Sequence, residues 1–181
     1  LYTEPIVILR IEDKNGVLLE DFSPTTREVF SPEVAYTVVN LLEGVTESGT
    51  GIRLRHSGGK YRYNVVTDYP YNFTNPIAGK TGTTQNNSDG WFIGMVPNLI
   101  TGIWTGCQDR SAHFGTTEFG QGATTALPIW AILMKDLYTQ PKIGISQGDF
   151  EKPKGPMSIA LDCNSYLKQS LEIDNEQSEY N

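Results

Sequence analysis

The sequence predicts an α+β fold, in which an antiparallel sheet of about five strands carries two helices packed on one face. Three observations favour this class. Near the start of the chain an Asn-Gly pair separates two apolar runs, which is typical of a β-hairpin. Three further extended runs are joined by short polar turns, which indicates a meander. One segment with helical apolar spacing precedes these runs and a second follows them.

The first strands are predicted from β-branched and apolar residues on either side of a turn. Residues 5–11 form the outgoing run, Asn15-Gly16 forms the turn, and residues 17–20 form the return strand. A third extended piece is predicted at residues 27–30.

The first helix is predicted over residues 31–48. Ser31-Pro32-Glu33 begins it, because serine accepts a free amide, proline suits the first position and glutamate favours the positive end of the helix. Gly49-Thr50-Gly51 ends it. Helical spacing predicts one buried face. Its apolar residues are Val34, Ala35, Val38, Leu41, Leu42 and Val45.

The meander is predicted after a long loop at residues 52–76, a length that is uncommon except near binding sites. Its strands are residues 77–83, 90–95 and 100–107, joined by polar turns. A glycine-rich loop at residues 108–123 then precedes the second helix.

The second helix is predicted over residues 124–138. Pro128 is acceptable there because it lies in the first turn. The segment is apolar nearly all round, which predicts deep burial. A further strand is predicted at residues 157–161.

Three parts are expected along the chain. Residues 1–140 are the folded part, residues 141–168 are a C-terminal extension, and residues 169–181 form an acidic tail that is expected to be disordered.

Composition excludes several function classes. A net charge of -7 argues against a nucleic-acid partner, since phosphate binding needs clustered lysine and arginine. No apolar stretch reaches the ~20 residues of a membrane span.

Cys107 and Cys163 lie 56 positions apart, and a disulfide and two free thiols are both compatible with the sequence. The start shows neither Met nor a signal peptide, and we expect the chain to be part of a longer protein.

The strand that contains Lys80-Thr81-Gly82-Thr83 carries the chemistry. Thr81 and Thr83 share one face of a strand, so their hydroxyls can bind one carboxylate. Lys80 begins on the other face, but its long stem can curl round the edge. Gly82 leaves room for an extended ligand to pair with the strand. The Thr83 amide can donate to a developing oxyanion.

Taken alone, this tetrapeptide also fits an ordinary edge strand, where lysine discourages aggregation. The longer pattern is more specific. The runs that carry it are Ala78-Gly79-Lys80-Thr81-Gly82-Thr83-Thr84, Asp89-Gly90-Trp91-Phe92-Ile93-Gly94, Ile103-Trp104-Thr105-Gly106 and Leu127-Pro128-Ile129-Trp130. Over residues 5–140 the sequence resembles the end of the transpeptidase domain of class A penicillin-binding proteins, in which Lys-Thr-Gly accompanies Ser-x-x-Lys and a serine-containing second motif.

The resemblance implies a penicilloyl-serine transferase fold, similar to serine β-lactamases and transpeptidases and incomplete in this chain. It implies a parent enzyme that joins peptidoglycan stem peptides through an acyl-serine and is blocked by β-lactams. Lys80, Thr81 and Thr83 would bind the substrate carboxylate, beside Gly82, and the Thr83 amide would complete the oxyanion hole. No metal or organic cofactor is implied. A glycosyltransferase domain and a membrane anchor would lie upstream, on the extracytoplasmic, periplasmic side of the inner membrane.

The nucleophile is expected to lie outside this chain. No Ser-x-Asn occurs, and Ser-x-x-Lys occurs only at Ser57–Lys60 and Ser165–Lys168. Gly58-Gly59 is a poor first helical turn, and Ser165 follows the Lys-Thr-Gly strand instead of preceding it. The chain on its own is therefore expected to be inactive. Without the N-terminal half of its domain it would expose apolar surface, and we expect self-association.

Three other functions are considered. A P-loop needs a glycine where Thr74 stands, which argues against a nucleotide site. A serine β-lactamase shares the Lys-Thr-Gly strand, but the ~100 residues after Lys80 argue against it. An inactive penicillin sensor or scaffold of the same fold stays open, because the deciding residues are absent.

The remaining candidates are given structural roles. His56 and His113 lack zinc spacing, and His113 is expected in a surface loop. Asp89 is expected to begin a strand or to orient a cleft residue. Cys107 is predicted to be small and buried. The tryptophans are predicted as core anchors; they are Trp91, Trp104 and Trp130. A tyrosine cluster fits either the substrate groove or loop packing; it comprises Tyr61, Tyr63, Tyr69 and Tyr71.

Overall fold

The computed structural model describes residues 1–55, 71–159 and 161. It confirms the α+β class, with antiparallel strands and helices in the predicted order. The chain divides into two compact units, residues 1–35 and residues 36–181, and each is described by itself. The tyrosines at 61, 63 and 69 and the histidine at 56 lie outside the described residues.

The first unit contains two short antiparallel ribbons. β2 (Arg10–Glu12) pairs with β3 (Leu18–Asp21), and Gly16 at the turn between them has φ of 82°. This pairing confirms the predicted Asn-Gly hairpin. Glycine suits the turn because it adopts a left-handed backbone without strain. β1 (Tyr2–Thr3) pairs with β4 (Thr26–Arg27), a pairing that the sequence did not indicate.

Helix α1 (Pro32–Glu47) begins as predicted, and the Val34 N–H donates to the Ser31 hydroxyl at 3.3 Å. The predicted buried stripe is wrong at four of its six positions. They are exposed, namely Val34, Ala35, Val38 and Leu41. The physical reason is that no described strand or helix covers this side of α1. Near the end of the helix, Thr46 is fully buried and donates to Ile77 O at 2.6 Å.

The meander is confirmed by its register. β5 (Ala78–Thr83), β6 (Asp89–Val96) and β7 (Leu99–Gly106) form a three-stranded antiparallel sheet in that order. Thr81 lies opposite Phe92, and Phe92 lies opposite Ile103. The described strands thus form three separate sheets instead of one sheet of about five, because the strands of residues 1–35 pair only with each other.

Two helices follow the meander. α2 (Thr117–Gly120) is a single turn inside the segment predicted as a loop. α3 (Ala126–Tyr138) packs on β6 and β7. The prediction that α3 is deeply buried all round is wrong for one side; exposed residues there are Ile129, Ile132 and Leu133. Burial is confined to the side that faces the sheet, since a helix lying on a sheet contacts it along one stripe.

Trp130 of α3 is the centre of the core. It is fully buried, and its ring meets Phe92 edge-on at 5.3 Å and Phe73 at 6.2 Å between centroids. Gly94 makes this possible, because a Cβ there would lie 2.4 Å from the indole. The prediction that Trp130 is a core anchor is confirmed.

The same prediction is wrong for Trp91 and Trp104, which are 42% and 47% exposed. Both lie on the sheet face opposite Phe92, and no described element covers that face. Cys107 is exposed instead of buried, because it follows the last residue of β7.

The strand predicted at residues 157–161 is absent from the described part of that segment, residues 157–159 and 161. A run of apolar residues becomes a strand only where a neighbouring strand completes its hydrogen bonds, and none is described there.

Candidate active site

β5 is an end strand of the three-stranded sheet, and the described residues place no strand on its outer side. Its residues alternate between the two faces as predicted. Thr81 and Thr83 lie on the face of Phe92 and α3, whereas Lys80 and Gly82 lie on the face of Trp91. Lys80 and Thr83 are exposed, and the residues between them are half-buried.

The ladder between β5 and β6 determines which backbone groups point outward. Thr84 N–H donates to Asp89 O at 3.1 Å, in register with the strand pairs before it. In an antiparallel ladder, hydrogen-bonded pairs alternate with pairs that share no hydrogen bond, so Gly82 and Trp91 form the next hydrogen-bonded pair. Thr83 lies between Gly82 and Thr84 and belongs to a pair without hydrogen bonds. The N–H and C=O of Thr83 therefore point to the free edge of β5, where a ligand backbone can reach them.

Two hydroxyls lie beside this edge and each has a partner. The Thr81 hydroxyl donates to the Thr50 hydroxyl at 2.8 Å. The Thr83 hydroxyl accepts from Gly122 N–H at 3.1 Å, which leaves its own proton free to donate. A carboxylate at this edge would meet the Thr83 hydroxyl as a donor without the loss of a protein hydrogen bond, whereas the Thr81 hydroxyl would first have to leave Thr50.

Lys80 supplies the positive charge of the edge. Its Nζ donates to Thr81 O at 2.9 Å, although its Cα lies on the opposite face. The side chain therefore curls round the edge, as the sequence predicted, and carries an ammonium to the outward carbonyl of β5.

Two glycines allow close packing at this strand, one on each face of the sheet. A Cβ at Gly82 would lie 3.1 Å from Trp91 Cβ. A Cβ at Gly122 would lie 2.2 Å from Trp91 O and 2.4 Å from Gly82 O. The Gly122 backbone can therefore approach the sheet closely enough to hold the Thr83 hydroxyl, and no larger residue fits there.

Asp89, the first residue of β6, gathers hydrogen bonds from three segments. Its Oδ2 accepts from the Thr84 hydroxyl at 2.9 Å and from the Ser88 hydroxyl at 3.3 Å. Its Oδ1 accepts from Trp104 Nε1 at 3.1 Å, and Arg110 lies 3.6 Å from Oδ2. The hydrogen bond from Thr84, with those from Trp104 and Ser88 and the charge of Arg110, lowers the pKa of Asp89.

This lowered pKa predicts a pH dependence of stability. Stabilisation by ionised Asp89 is complete above the ordinary aspartate pKa of about 3.9 and is lost as the pH falls through the lower pKa of the folded state. We expect the urea midpoint of the wild type to decrease on acidification below about pH 4, and to decrease less in Asp89→Asn. Circular dichroism at a series of pH values checks this. Equal slopes for the two proteins would contradict it.

Two residues of the site are not predicted from the sequence. Thr50 is an exposed turn residue after α1, and Gly122 lies in the segment predicted as a loop. The signal for Thr50 is the pair of glycines around it, which predicts a turn. Gly122 gives no such signal, because its contact with Thr83 spans 39 positions of sequence.

Other candidates do not join the site. His113 is exposed, with its Nδ1 3.1 Å from Phe114 O, as expected of a surface loop. The serines at 57 and 165 lie outside the described residues. Among the residues that are described, no group of histidine, cysteine and carboxylate side chains is placed to hold a metal, and no helix has the length and apolar character to cross a membrane.

Comparison with known proteins gives a consistent result. Residues 1–102 match the family model of the penicillin-binding protein transpeptidase domain. Penicillin-binding protein 1A of Aquifex aeolicus is 32% identical over 161 residues, which are 89% of this chain and 19% of the relative. Penicillin-binding protein 1A of Clostridium acetobutylicum is 29% identical over 160 residues, 88% of this chain and 17% of the relative. The chain thus spans about a fifth of these relatives.

A solved structure supports the fold. The 2.6 Å crystal structure of penicillin-binding protein 1A from Haemophilus influenzae superimposes with a TM-score of 0.58 at 23% identity. The match covers 85% of this chain and 25% of that protein.

Proposed function

Because this chain belongs to the penicillin-binding protein transpeptidase family, we propose that the protein containing it cross-links peptidoglycan stem peptides through an acyl-serine intermediate. The observation that carries the proposal is the free edge of β5. There an outward Thr83 N–H, the hydroxyls of Thr81 and Thr83, and the ammonium of Lys80 share one strand.

The first half-reaction forms the acyl-enzyme. A serine hydroxyl from outside this chain attacks the carbonyl carbon between the two D-Ala residues of a donor stem peptide, and its proton passes to an adjacent base. The carbonyl oxygen becomes an oxyanion, which accepts from the outward Thr83 N–H. The carbon–nitrogen bond then breaks, and the terminal D-Ala leaves with the proton on its amine.

The second half-reaction forms the cross-link. An amine of an acceptor stem peptide attacks the acyl-serine, a new amide forms, and the serine recovers its proton. The Thr83 N–H stabilises the oxyanion of this step as well, since both steps pass through a tetrahedral intermediate at the same carbon.

Substrate selection follows from the charge and donors at the edge. The carboxylate of the terminal D-Ala accepts from the Thr83 hydroxyl and, once the Thr81 hydroxyl turns away from Thr50, from Thr81 as well, with Lys80 as the cation. The extended donor peptide pairs with the free edge of β5, as peptides do at other exposed strands. Gly82 keeps that part of the strand open. A β-lactam presents the same carboxylate and a reactive carbonyl, so it acylates the serine and blocks it.

The test is acylation, by a fluorescent penicillin, of the full-length protein that contains this chain. We expect one penicilloyl group per protein, found by intact mass, with no measurable turnover. We expect Lys80→Ala to weaken labelling, because a charge-assisted hydrogen bond to the carboxylate, typically ~1.5–3 kcal/mol, is lost. Steady hydrolysis of a chromogenic cephalosporin would indicate a β-lactamase instead. Absence of any adduct would indicate a scaffold that has lost the activity.

The wider setting is part of the same proposal. A substrate in the cell wall requires the domain to act outside the cytoplasm, and we infer an upstream membrane anchor and a glycosyltransferase domain in the parent protein. Detection of the anchor and of the glycosyltransferase domain in the full-length protein would support this inference.

A further inference from the structure

The end of β5 is held by a network centred on Asp89, outside the group of residues that would touch substrate. On the basis of the proposed function, we propose that Asp89 is a positioning residue for acylation. Through Thr84 it holds the backbone next to Thr83, so that the Thr83 N–H points to the place where the oxyanion forms.

The connection to Thr83 runs through its neighbour. Thr84 N–H donates to Asp89 O at 3.1 Å, Asp89 N–H donates to the Thr84 hydroxyl at 3.0 Å, and that hydroxyl donates to Asp89 Oδ2 at 2.9 Å. Three hydrogen bonds thus join two residues across the turn. On its other side Thr83 is held by Gly122 through its hydroxyl. The orientation of Thr83 is therefore determined from both directions.

The turn between β5 and β6 is built on two left-handed residues. Asn86 and Asn87 have φ of 59° and 54°, a backbone that asparagine adopts more readily than most residues other than glycine. Ser88, next to them, is 5% exposed, and its hydroxyl lies 3.3 Å from both Gln85 O and Asp89 Oδ2, which share its one proton. The Thr84 and Ser88 hydroxyls also contact each other at 3.0 Å, and without the carboxylate both would lose a shared acceptor.

The third strand is shaped to receive the carboxylate. Gly106 lies opposite Asp89 in the register, and a Cβ there would lie 2.7 Å from Asp89 Oδ1. Trp104 donates to the same oxygen, and the Asp89 side chain is only 15% exposed. The carboxylate thus has one oxygen for the turn that follows β5 and one for β7. Only the first oxygen leads to Thr83.

The experiment distinguishes the contributions of these two oxygens in the full-length protein that contains this chain. Stopped-flow acylation by a fluorescent penicillin gives the maximal acylation rate constant and the dissociation constant of the complex that precedes it. Asp89→Asn removes the charge, Thr84→Val removes the hydroxyl on the Oδ2 side, and Trp104→Phe removes the donor on the Oδ1 side. Melting temperatures report the structural cost of each change.

We expect Asp89→Asn to lower the maximal acylation rate constant by roughly 10- to 100-fold, the range for a misplaced catalytic group, and to leave the dissociation constant nearly unchanged. Thr84→Val should act in the same direction, and the double variant should lose less than the product of the two factors. Trp104→Phe should have a smaller effect on the rate constant, even where it lowers the melting temperature as much as Asp89→Asn.

Rate losses that follow the melting temperature across all three variants would overturn the inference, and so would an unchanged rate constant in Asp89→Asn. If the wild type takes no penicillin, the proposed function fails, and hydrogen exchange still tests the positioning. Asp89→Asn should then accelerate exchange at the Thr84 amide more than Trp104→Phe does. Equal exchange in the two variants would overturn it.

Discussion

Thr83→Pro is expected to lower the rate of penicillin acylation by roughly 100- to 1,000-fold, the cost of one missing oxyanion donor. Proline has no N–H, and the N–H of Thr83 points away from β6. The sheet therefore loses no ladder hydrogen bond, and an end strand accepts proline at such a position. The measurement is the time course of acylation of the full-length protein by a fluorescent penicillin.

Thr83→Val is the matched control for this change. It removes the same hydroxyl, with its contact to Gly122 N–H, and retains the oxyanion donor, so its loss in maximal rate should be much smaller than that of Thr83→Pro. Melting temperatures of both variants show whether the fold is intact. If Thr83→Pro were acylated as fast as Thr83→Val and its melting temperature were unchanged, another group would have to hold the oxyanion.

Trp130→Ala is expected to lower the free energy of unfolding by ~3–5 kcal/mol, the range for truncation of a buried aromatic residue. The indole is fully buried between Phe92, Phe73 and the backbone at Gly94, and its removal leaves a cavity that the sheet cannot close. Urea unfolding followed by circular dichroism gives this free energy.

Two variants test the explanation by packing. Ile129→Ala changes the neighbouring residue, which is 47% exposed, and should cost much less. Trp130→Phe should also cost less than Trp130→Ala, because the indole N–H has no hydrogen-bond partner among the described residues. If Ile129→Ala were as destabilising as Trp130→Ala, α3 would be held by its outer side, contrary to the observed burial.

The local elements were predictable because their causes are local. The Asn15-Gly16 turn, the serine cap of α1 and the polar turns of the meander each act within a few residues, and all appear at the expected places. The shared face of Thr81 and Thr83 was predictable as well, since side chains alternate along a strand.

Burial was less predictable, because it depends on which element covers a residue. Trp91, Trp104 and Trp130 are chemically alike, but only Trp130 faces the core, between α3 and the sheet. Val38 and Leu41 follow the apolar period of α1 and are still exposed, because no described element covers them. A pattern of apolar residues shows which face needs a partner, and the partner decides whether it is buried.

The sequence by itself determined the α+β class, the β5–β6–β7 meander and the residues of the Lys-Thr-Gly edge, because hydrophobic period, turn chemistry and motif are all written in short segments. Only the tertiary structure decided that Thr83 N–H points outward, that Gly122 holds its hydroxyl, and that Asp89 joins the turn to β7. These depend on register and on contacts between distant segments: a one-residue shift would reverse the faces of β5, and no local pattern specifies which glycine approaches which strand.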